Sequence, residues 1–153
     1  MHYSIYTDGS CLSNPGGKGG IAFCIINNIT GEEIFDSLGY YSTTNNRMEM
    51  MAILKAIKRC PIGKSIMVYS DSQYAINCFS VWLKSWKKSN FKNRTVKNYD
   101  LIFEYLSLMD YYQIQFSYVR GHNGHIYNDK CDKYAQNIAI EGPWLHDEEY
   151  ENR

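Results

Sequence analysis

The order of apolar and polar positions along the chain predicts strands first and helices later. Residues 2–8 form a strand-like run, and the runs 21–27 and 33–41 follow it. The link over residues 28–31 is short and contains glycine, which is typical of a β-hairpin. A glycine-rich turn is expected between the first two runs, from Gly9 to Gly20. Three consecutive strands at the start of the chain therefore predict an antiparallel meander.

The remainder of the chain shows helical periodicity interrupted by two further strand-like runs. A helix is predicted from Thr44 to the residue before Pro61, because apolar residues recur there at helical spacing. The other predicted elements are a strand over 65–70, a helix from Ser72, a helix over 96–109, a strand over 113–119, a loop over 121–125 and a helix over 128–140. The order β-β-β-α-β-α-α-β-α predicts a five-stranded mixed α/β sheet with helices on both faces.

Composition and charge are those of an ordinary globular protein of 153 residues with a net formal charge of zero. Charge is nevertheless uneven along the chain. The basic segment, residues 84–99, carries six cations and no acid, whereas residues 141–153 carry five acids and one arginine. We therefore expect one folded domain over residues 1–141 and a flexible acidic tail over residues 142–153.

The cysteines and the start of the chain bear on cellular location. Five cysteines at irregular spacing, without a Cys-x-x-Cys pair, argue against a disulfide framework or a zinc knuckle and favour reduced thiols. The first residues do not resemble a secretion signal, and apolar stretches stay shorter than a membrane span. We expect a soluble, cytoplasmic protein without membrane contact.

Four separated acids are candidates for chemistry. Asp8 ends one strand-like run, Asp71 directly follows another, and Glu49 and Asp132 lie in helical patterns. Each has a structural alternative: a turn residue for Asp8, a helix N-cap for Asp71, a residue that complements the helix dipole for Glu49 and a surface acid for Asp132. Individually these signals are weak.

The four acids gain meaning from where a mixed sheet would place them. Strand ends and helix first turns can meet at one edge of such a sheet, and converging carboxylates repel one another unless cations compensate them. Oxygen ligands suit Mg²⁺ or Mn²⁺, and two such ions about 3.5–4 Å apart serve phosphodiester chemistry. The sequence thus predicts metal-dependent phosphoryl transfer.

Two further features are compatible with that chemistry. His122 lies between glycines in the loop over 121–125, where it could carry a proton, or it could be an exposed histidine without a role. Aromatic residues interleave with the cations around the basic segment. Such a pattern is usually a solvated helix surface, but six cations without an acid also suit a phosphate backbone.

Several stretches together resemble the type I ribonuclease H family of bacteria, from about Tyr3 to Ala139. They are Thr7-Asp8-Gly9-Ser10-Cys11, Asn14-Pro15-Gly16, Thr43-Thr44-Asn45-Asn46-Arg47-Met48-Glu49, Ser70-Asp71-Ser72-Gln73-Tyr74, residues 82–88, Val96-Lys97-Asn98, Gly121-His122-Asn123-Gly124-His125, and Asn128 with Cys131-Asp132. Their number and order make the resemblance specific. It implies a ribonuclease H-like fold, with residues 1–141 as the catalytic domain.

The resemblance implies an endonuclease that cuts the RNA strand of RNA–DNA hybrids and leaves 5′-phosphate and 3′-hydroxyl ends. Matching residues imply metal binding by Asp8, Glu49, Asp71 and Asp132, and proton transfer by His122. They also imply substrate contacts by Cys11, Asn14, Asn45, Asn46, Gln73, Trp82, Trp86, Lys87 and Lys88. The implied cofactor is two Mg²⁺ ions, with Mn²⁺ as a substitute, and the implied state is a monomer.

Other interpretations remain beside this one. A non-catalytic module that binds hybrids or duplexes would keep the fold and lack at least one acid, whereas all four are present. A resolvase or integrase core would lack the basic segment. The chain also departs from the family pattern, because Asp129 replaces a common glutamate and residues 89–95 are shorter and less basic, with Phe91 for a tryptophan. A weaker and less salt-dependent affinity for substrate is therefore expected.

Overall fold

The computed structural model describes residues 1–88, 97–120 and 125–153, without the side chains of residues 86 and 87. The elements, in chain order, are β1 (Tyr3–Cys11), β2 (Gly19–Asn27), β3 (Glu33–Tyr40), α1 (Asn45–Arg59), β4 (Ser65–Ser70), α2 (Gln73–Phe79), α3 (Val81–Lys88), α4 (Tyr99–Met109), β5 (Gln113–Tyr118), α5 (Ile126–Glu141), β6 (Trp144–Leu145) and α6 (Glu148–Glu151).

The strands form one mixed sheet in the order β5-β4-β1-β2-β3-β6. Strands β1, β2 and β3 pair in antiparallel fashion, whereas β4 lies parallel to β1 and β5 lies parallel to β4. The predicted mixed sheet with an antiparallel first half is confirmed. The expected number of five strands was one too low, because Trp144 and Leu145 pair with Gly39 and Tyr40 as a sixth strand.

Helices cover both faces of the sheet, as predicted. On one face, Phe23 and Val68 from the strands pack in the main core with Ile53 and Ile57 of α1. Helices α2 and α4 contribute further buried residues to the same cluster, among them Phe79 and Ile102. On the opposite face, Ala22 and Cys24 of β2 pack against Cys131 and Ala135 of α5. The alternation of the two faces along β2 follows from the period of two residues in a strand.

Local sequence signals explain the limits of α1. The Thr44 hydroxyl accepts a hydrogen bond from the Arg47 amide at 3.2 Å, so it caps the helix. At the other end, the Cys60 amide donates to the Ile57 carbonyl at 3.0 Å, and Pro61 follows. The predicted helix is confirmed, and it begins next to the end of β1.

The first two strands extend further than predicted. The sequence placed Gly9 and Gly20 in a turn, but Gly9 lies inside β1 and Gly20 inside β2, where it pairs with Ser10. The connection is therefore confined to residues 12–18. Glycine was interpreted as a turn signal, whereas both glycines lie under helix backbones that leave no space for a side chain.

The acidic end of the chain makes contacts with the rest of the fold. A flexible tail was predicted after residue 141, yet β6 joins the sheet and Asp147 is only 4% exposed. The Asp147 carboxylate accepts hydrogen bonds from Arg47 Nε at 2.7 Å and from Thr43 Oγ1 at 2.8 Å. The number of acids in this segment suggested that it is solvated, but one of these acids, Asp147, compensates the charge of the buried Arg47. The division into a domain and a tail at residue 141 stays a prediction.

The state of the cysteines and the presence of membrane-spanning helices can be examined in the described residues. Cys11 is half-buried, the other four cysteines are buried, and all five are free thiols. Among the helices that the structure describes, none has the length and apolar character needed to cross a bilayer.

Candidate active site

Three of the four predicted acids meet at one edge of the sheet. Asp8, Glu49 and Asp71 each place a carboxylate oxygen within 4.8 Å of the other two. The topology explains the meeting of the two aspartates, since Thr7 pairs with Ser70 in the parallel β1–β4 ladder and each aspartate comes one residue later. Functional groups collect at such carboxyl ends of parallel strands.

Glu49 reaches the same point from the first turns of α1. The Gly9 amide donates hydrogen bonds to Asp8 Oδ1, at 2.9 Å, and to Glu49 Oε1. One backbone N–H group therefore joins the carboxylates from the strand and the helix. This contact is possible because α1 lies directly against β1 at Gly9.

Asp132 lies near Asp8, outside the group of three acids. Its carboxylate is close enough to Asp8 to help raise the pKa of that group. The amide of Gln136, one turn later on α5, donates to Asp132 Oδ1 at 3.2 Å. The structure thus brings all four predicted acids to one region, with Asp132 outside the tightest group.

The electrostatics of the cluster oppose its full ionisation. Burial raises the pKa of Asp8 to about 8, and the charges of Asp71 and Asp132 add to the rise, while a hydrogen bond with Glu49 lowers it. Burial and the nearby charge of Asp8 also raise the pKa of Glu49 well above its usual range. Near neutral pH the cluster must therefore hold protons or cations.

The residues present fit a divalent metal ion. All the donor atoms of the cluster are carboxylate oxygens, which Mg²⁺ and Mn²⁺ prefer. In addition, Asp71 Oδ1 is buried and has no hydrogen-bond partner among the described residues. A buried oxygen without a partner is costly unless a cation or water satisfies it.

The predicted amide residues lie in the β1–β2 connection and at the starts of α1 and α2. Asn14 Oδ1 accepts a hydrogen bond from the Asn45 backbone amide at 3.1 Å, which joins the β1–β2 connection to the start of α1. Gln73, the first residue of α2, donates through Nε2 to Asn77 at 3.1 Å. Cys11, at the end of β1, directs its thiol toward carbonyl oxygens of the same connection, including Ser13 O at 3.4 Å.

A cavity of about 350 Å³ opens next to these amides. Its lining residues are Asn14, Pro15, Thr44, Asn46, Lys97, Asn98, Tyr150 and Arg153. Of these, sequence reasoning assigned substrate contact only to Asn14 and Asn46. The stretch Val96-Lys97-Asn98 was the available signal for Lys97 and Asn98. Tyr150 and Arg153 belong to the end of the chain that was expected to be flexible, so the sequence offered no signal for them.

The remaining predicted residues lie on α3 or outside the described residues. Trp82 is 37% exposed and packs edge-on against Tyr74, with ring centroids 5.7 Å apart. Lys88 is exposed at the end of α3. The positions of the Trp86 and Lys87 side chains, and of His122 and Phe91 as a whole, lie outside what the structure describes.

The chain is similar to a known family and to named proteins of that family. The family model described as RNase H matches residues 1–140. Ribonuclease HI of Pasteurella multocida strain Pm70 is 41% identical over 150 residues, which cover 96% of this chain and 95% of that protein. Ribonuclease HI of Haemophilus ducreyi strain 35000HP is 38% identical over 151 residues, which cover 97% and 96% of the two chains.

Solved structures share the fold at lower sequence identity. The crystal structure of LC9-RNase H1 has a TM-score of 0.78 at 21% identity and covers 92% of this chain and 73% of its own. The structure of LC11-RNase H1 in complex with an RNA/DNA hybrid has a TM-score of 0.66 at 17% identity and covers 91% and 97%.

A mixed sheet with an antiparallel first half and acids at adjoining strand ends defines the ribonuclease H class of nuclease fold. The chain belongs to the ribonuclease H family, in its bacterial type I branch. It is therefore an enzyme, a hydrolase that acts as an endonuclease on RNA.

Proposed function

We propose that this enzyme hydrolyses the RNA strand of RNA–DNA hybrids and leaves 5′-phosphate and 3′-hydroxyl ends. The observation that carries the proposal is the convergence of Asp8, Glu49 and Asp71 within 4.8 Å, with Asp132 beside them. The names of the relatives support it, as does the RNA/DNA hybrid bound to LC11-RNase H1.

In this proposal, Asp8, Glu49, Asp71 and Asp132 hold two divalent ions, normally Mg²⁺, with Mn²⁺ able to substitute. When bound, two such ions supply an activated water and stabilise the attacking and leaving oxygens of a phosphodiester. The carboxylates hold the ions by their negative charge, and the burial of Asp8 limits competition from solvent. The Gly9 amide keeps the carboxylates of Asp8 and Glu49 in one orientation.

Recognition of the RNA strand is assigned to the amides around the acids. The side-chain amides of Asn14, Asn45, Asn46 and Gln73 can both donate and accept hydrogen bonds. They can therefore bind the 2′-hydroxyl of RNA, a group that DNA lacks. Cys11 completes this surface at the end of β1. Because such contacts read backbone and shape, hybrid geometry should set the preference and base sequence should matter little.

The basic segment and His122 complete the proposed site. Trp82, Trp86, Lys87 and Lys88 would hold the phosphate backbone of the hybrid, since lysines gain affinity by releasing counterions. His122 would carry a proton to or from the leaving oxygen. We further propose that the enzyme acts as a monomer in the cytoplasm, without membrane contact.

The experiment compares cleavage of a labelled RNA–DNA hybrid with cleavage of duplex RNA, duplex DNA and single-stranded RNA, each with Mg²⁺ and with Mn²⁺. Only the hybrid should be cut, in its RNA strand. Asp71→Asn should abolish cleavage, because it removes the charge of a proposed ligand. Asp110→Asn is the control, since Asp110 is exposed next to the opposite end of the sheet.

Two outcomes would contradict the proposal. Undiminished cleavage by Asp71→Asn would show that the proposed metal site does not take part in the reaction. Hybrid binding without cleavage by the unaltered chain would favour the alternative, a module that binds nucleic acid and has no catalytic activity.

A further inference from the structure

We infer that Gly9 and Gly20 are positioning residues for the proposed metal site. Because they lack side chains, α1 and α5 can approach the sheet closely enough for Glu49 and Asp132 to reach the strand acids. The inference rests on the metal-binding part of the proposed function, and it assigns a role in ligand placement to residues that touch neither metal nor substrate.

The first contact is between β1 and α1. A Cβ atom added at Gly9 would lie 2.4 Å from Glu49 N and 2.4 Å from Met48 C. Both are backbone atoms, so a change of side-chain rotamer cannot relieve the overlap. Ordinary van der Waals contact begins at 3.4 Å, so α1 would have to move away from β1 by about 1 Å.

That movement would act directly on two proposed ligands. Asp8 precedes Gly9 on the strand, and Glu49 is the helix residue whose amide the new atom would meet. The Gly9 amide also bonds both carboxylates. A displacement of α1 therefore changes the separation of Asp8 and Glu49 more directly than a change elsewhere in the core would.

The second contact is between β2 and α5. A Cβ atom at Gly20 would lie 2.2 Å from Ala135 O and 2.6 Å from Ile138 Cγ2. Gly39, the partner of Gly20 in the β2–β3 ladder, would likewise meet Ile138 O at 3.0 Å. Helix α5 therefore rests on a pair of glycines in adjacent strands.

Asp132 lies one turn before Ala135 on the same face of α5. Its carboxylate interacts with Asp8. A side chain at Gly20 would push this part of α5 outward and withdraw Asp132 from the cluster. The two glycines thus fix the site from the two faces of the sheet, Gly9 for Glu49 and Gly20 for Asp132.

Metal coordination makes a small movement of a helix significant. Mg²⁺ requires near-octahedral oxygen ligands at about 2.0–2.1 Å, so a shift of about 1 Å removes a ligand from its position. A hydrophobic core tolerates repacking of that size far better, because its contacts are not directional. Metal affinity should therefore fall by more than general destabilisation explains.

The test measures Mn²⁺ and Mg²⁺ binding by calorimetry for the unaltered chain, Gly9→Ala and Gly20→Ala, together with unfolding of the metal-free proteins and kcat and KM on hybrid. Gly31→Ala is the matched control. Gly31 has φ +79° and nothing within 4 Å of its added Cβ, so that substitution destabilises through backbone strain in a turn between β2 and β3.

Gly9→Ala should weaken metal affinity by about 10- to 100-fold, the range for groups that support ligands. Its kcat should fall at a fixed metal concentration while KM for hybrid changes by less than about 3-fold, and excess Mn²⁺ should restore part of the loss. Gly20→Ala should show the same pattern with a smaller loss of affinity. Gly31→Ala should bind metal as the unaltered chain does.

Equal metal affinity in Gly9→Ala, Gly20→Ala and Gly31→Ala would overturn the inference. If only Gly9→Ala fails to fold, the metal affinity of Gly20→Ala decides the question. If both variants fail to fold while Gly31→Ala folds, the two glycines are needed for the fold as a whole, and the inference of a specific role in metal-ligand placement is wrong. The proposed function is tested separately, by hybrid cleavage with the unaltered chain. An unaltered chain that binds metal but does not cleave would contradict the function and leave the test of the glycines valid.

Discussion

This protein contains two groups of buried and half-buried acids, and they are compensated in opposite ways. In one group, Asp100 and Asp147 bind the guanidinium of Arg47, which is 1% exposed. In the other, Asp8 and Glu49 meet a third acid, Asp71. This cluster, as far as the structure describes it, contains acids and no cationic side chain. The two groups are joined by α1, which carries both Arg47 and Glu49.

The pKa values of the two groups differ accordingly. Burial alone would raise the pKa of Asp100, but hydrogen bonds and the charge of Arg47 lower it below its usual value. Burial raises the pKa of Asp8 to about 8, and neighbouring acids strengthen the rise. A buried acid therefore supports the fold when the protein supplies its cation, and indicates a functional site when it does not.

The largest expected effect on stability comes from removing the internal cation. Arg47→Met should lower the free energy of unfolding by about 3–5 kcal/mol, because Asp147 would be left buried and uncompensated. Urea unfolding at pH 7 measures the change. Lys58→Met is the control, since Lys58 pairs with Glu104 at the surface and should cost less than about 1 kcal/mol. Equal losses would mean that the buried network contributes no more than a surface pair.

A smaller effect, of opposite sign, is expected in the uncompensated group. Asp8 has a raised pKa in the folded state, so the folded protein binds more protons than the unfolded chain between pH 3.8 and about pH 8. Stability of the metal-free protein should therefore fall as pH rises through that range. Asp8→Asn should remove this loss and raise the free energy of unfolding at pH 8 by a few kcal/mol at most.

Unfolding of both proteins in a chelator, at pH 4 and at pH 8, measures the difference. At pH 4 the two proteins should be nearly equal, because Asp8 is protonated in the folded state. Adding Mg²⁺ at pH 8 should stabilise the unaltered chain more than Asp8→Asn. A variant that is less stable at pH 8 than the unaltered chain would show that the charge of Asp8 is compensated within the metal-free protein.

The smallest effect is expected at the basic segment. Lys87→Ala with Lys88→Ala should raise KM for hybrid and leave kcat nearly unchanged. The slope of log affinity against log salt concentration should become shallower by about 0.7–0.9 for each phosphate that is no longer neutralised. Initial rates from about 50 to about 200 mM salt measure the slope. Lys64→Ala is the control, because Lys64 precedes β4 at the end of the sheet opposite Asp71. An unchanged slope in the double variant would separate these lysines from substrate binding.

Sequence reasoning recovered those parts of the protein that local patterns encode. Periodicity and the Thr44 cap predicted α1, and strand ends predicted where Asp8 and Asp71 would meet. The pairing of Arg47 with Asp147 was missed because it joins residues 100 positions apart, and no local pattern indicates it. The roles of Gly9 and Gly20 were missed for a related reason, since a missing side chain indicates close approach only when its neighbour is known.

The Arg47–Asp147 pair also sets an order of events during synthesis. Arg47 emerges 100 residues before its second partner, and 53 residues before Asp100. At about 5–20 residues per second, a ribosome takes about 5–20 s to supply Asp147 after Arg47. Throughout that interval the nascent chain contains Arg47 but lacks Asp147, one of its two carboxylate partners in the folded enzyme. The amino-terminal end of α1, and with it the proposed metal site, can reach its final packing only after the last acidic segment has been translated.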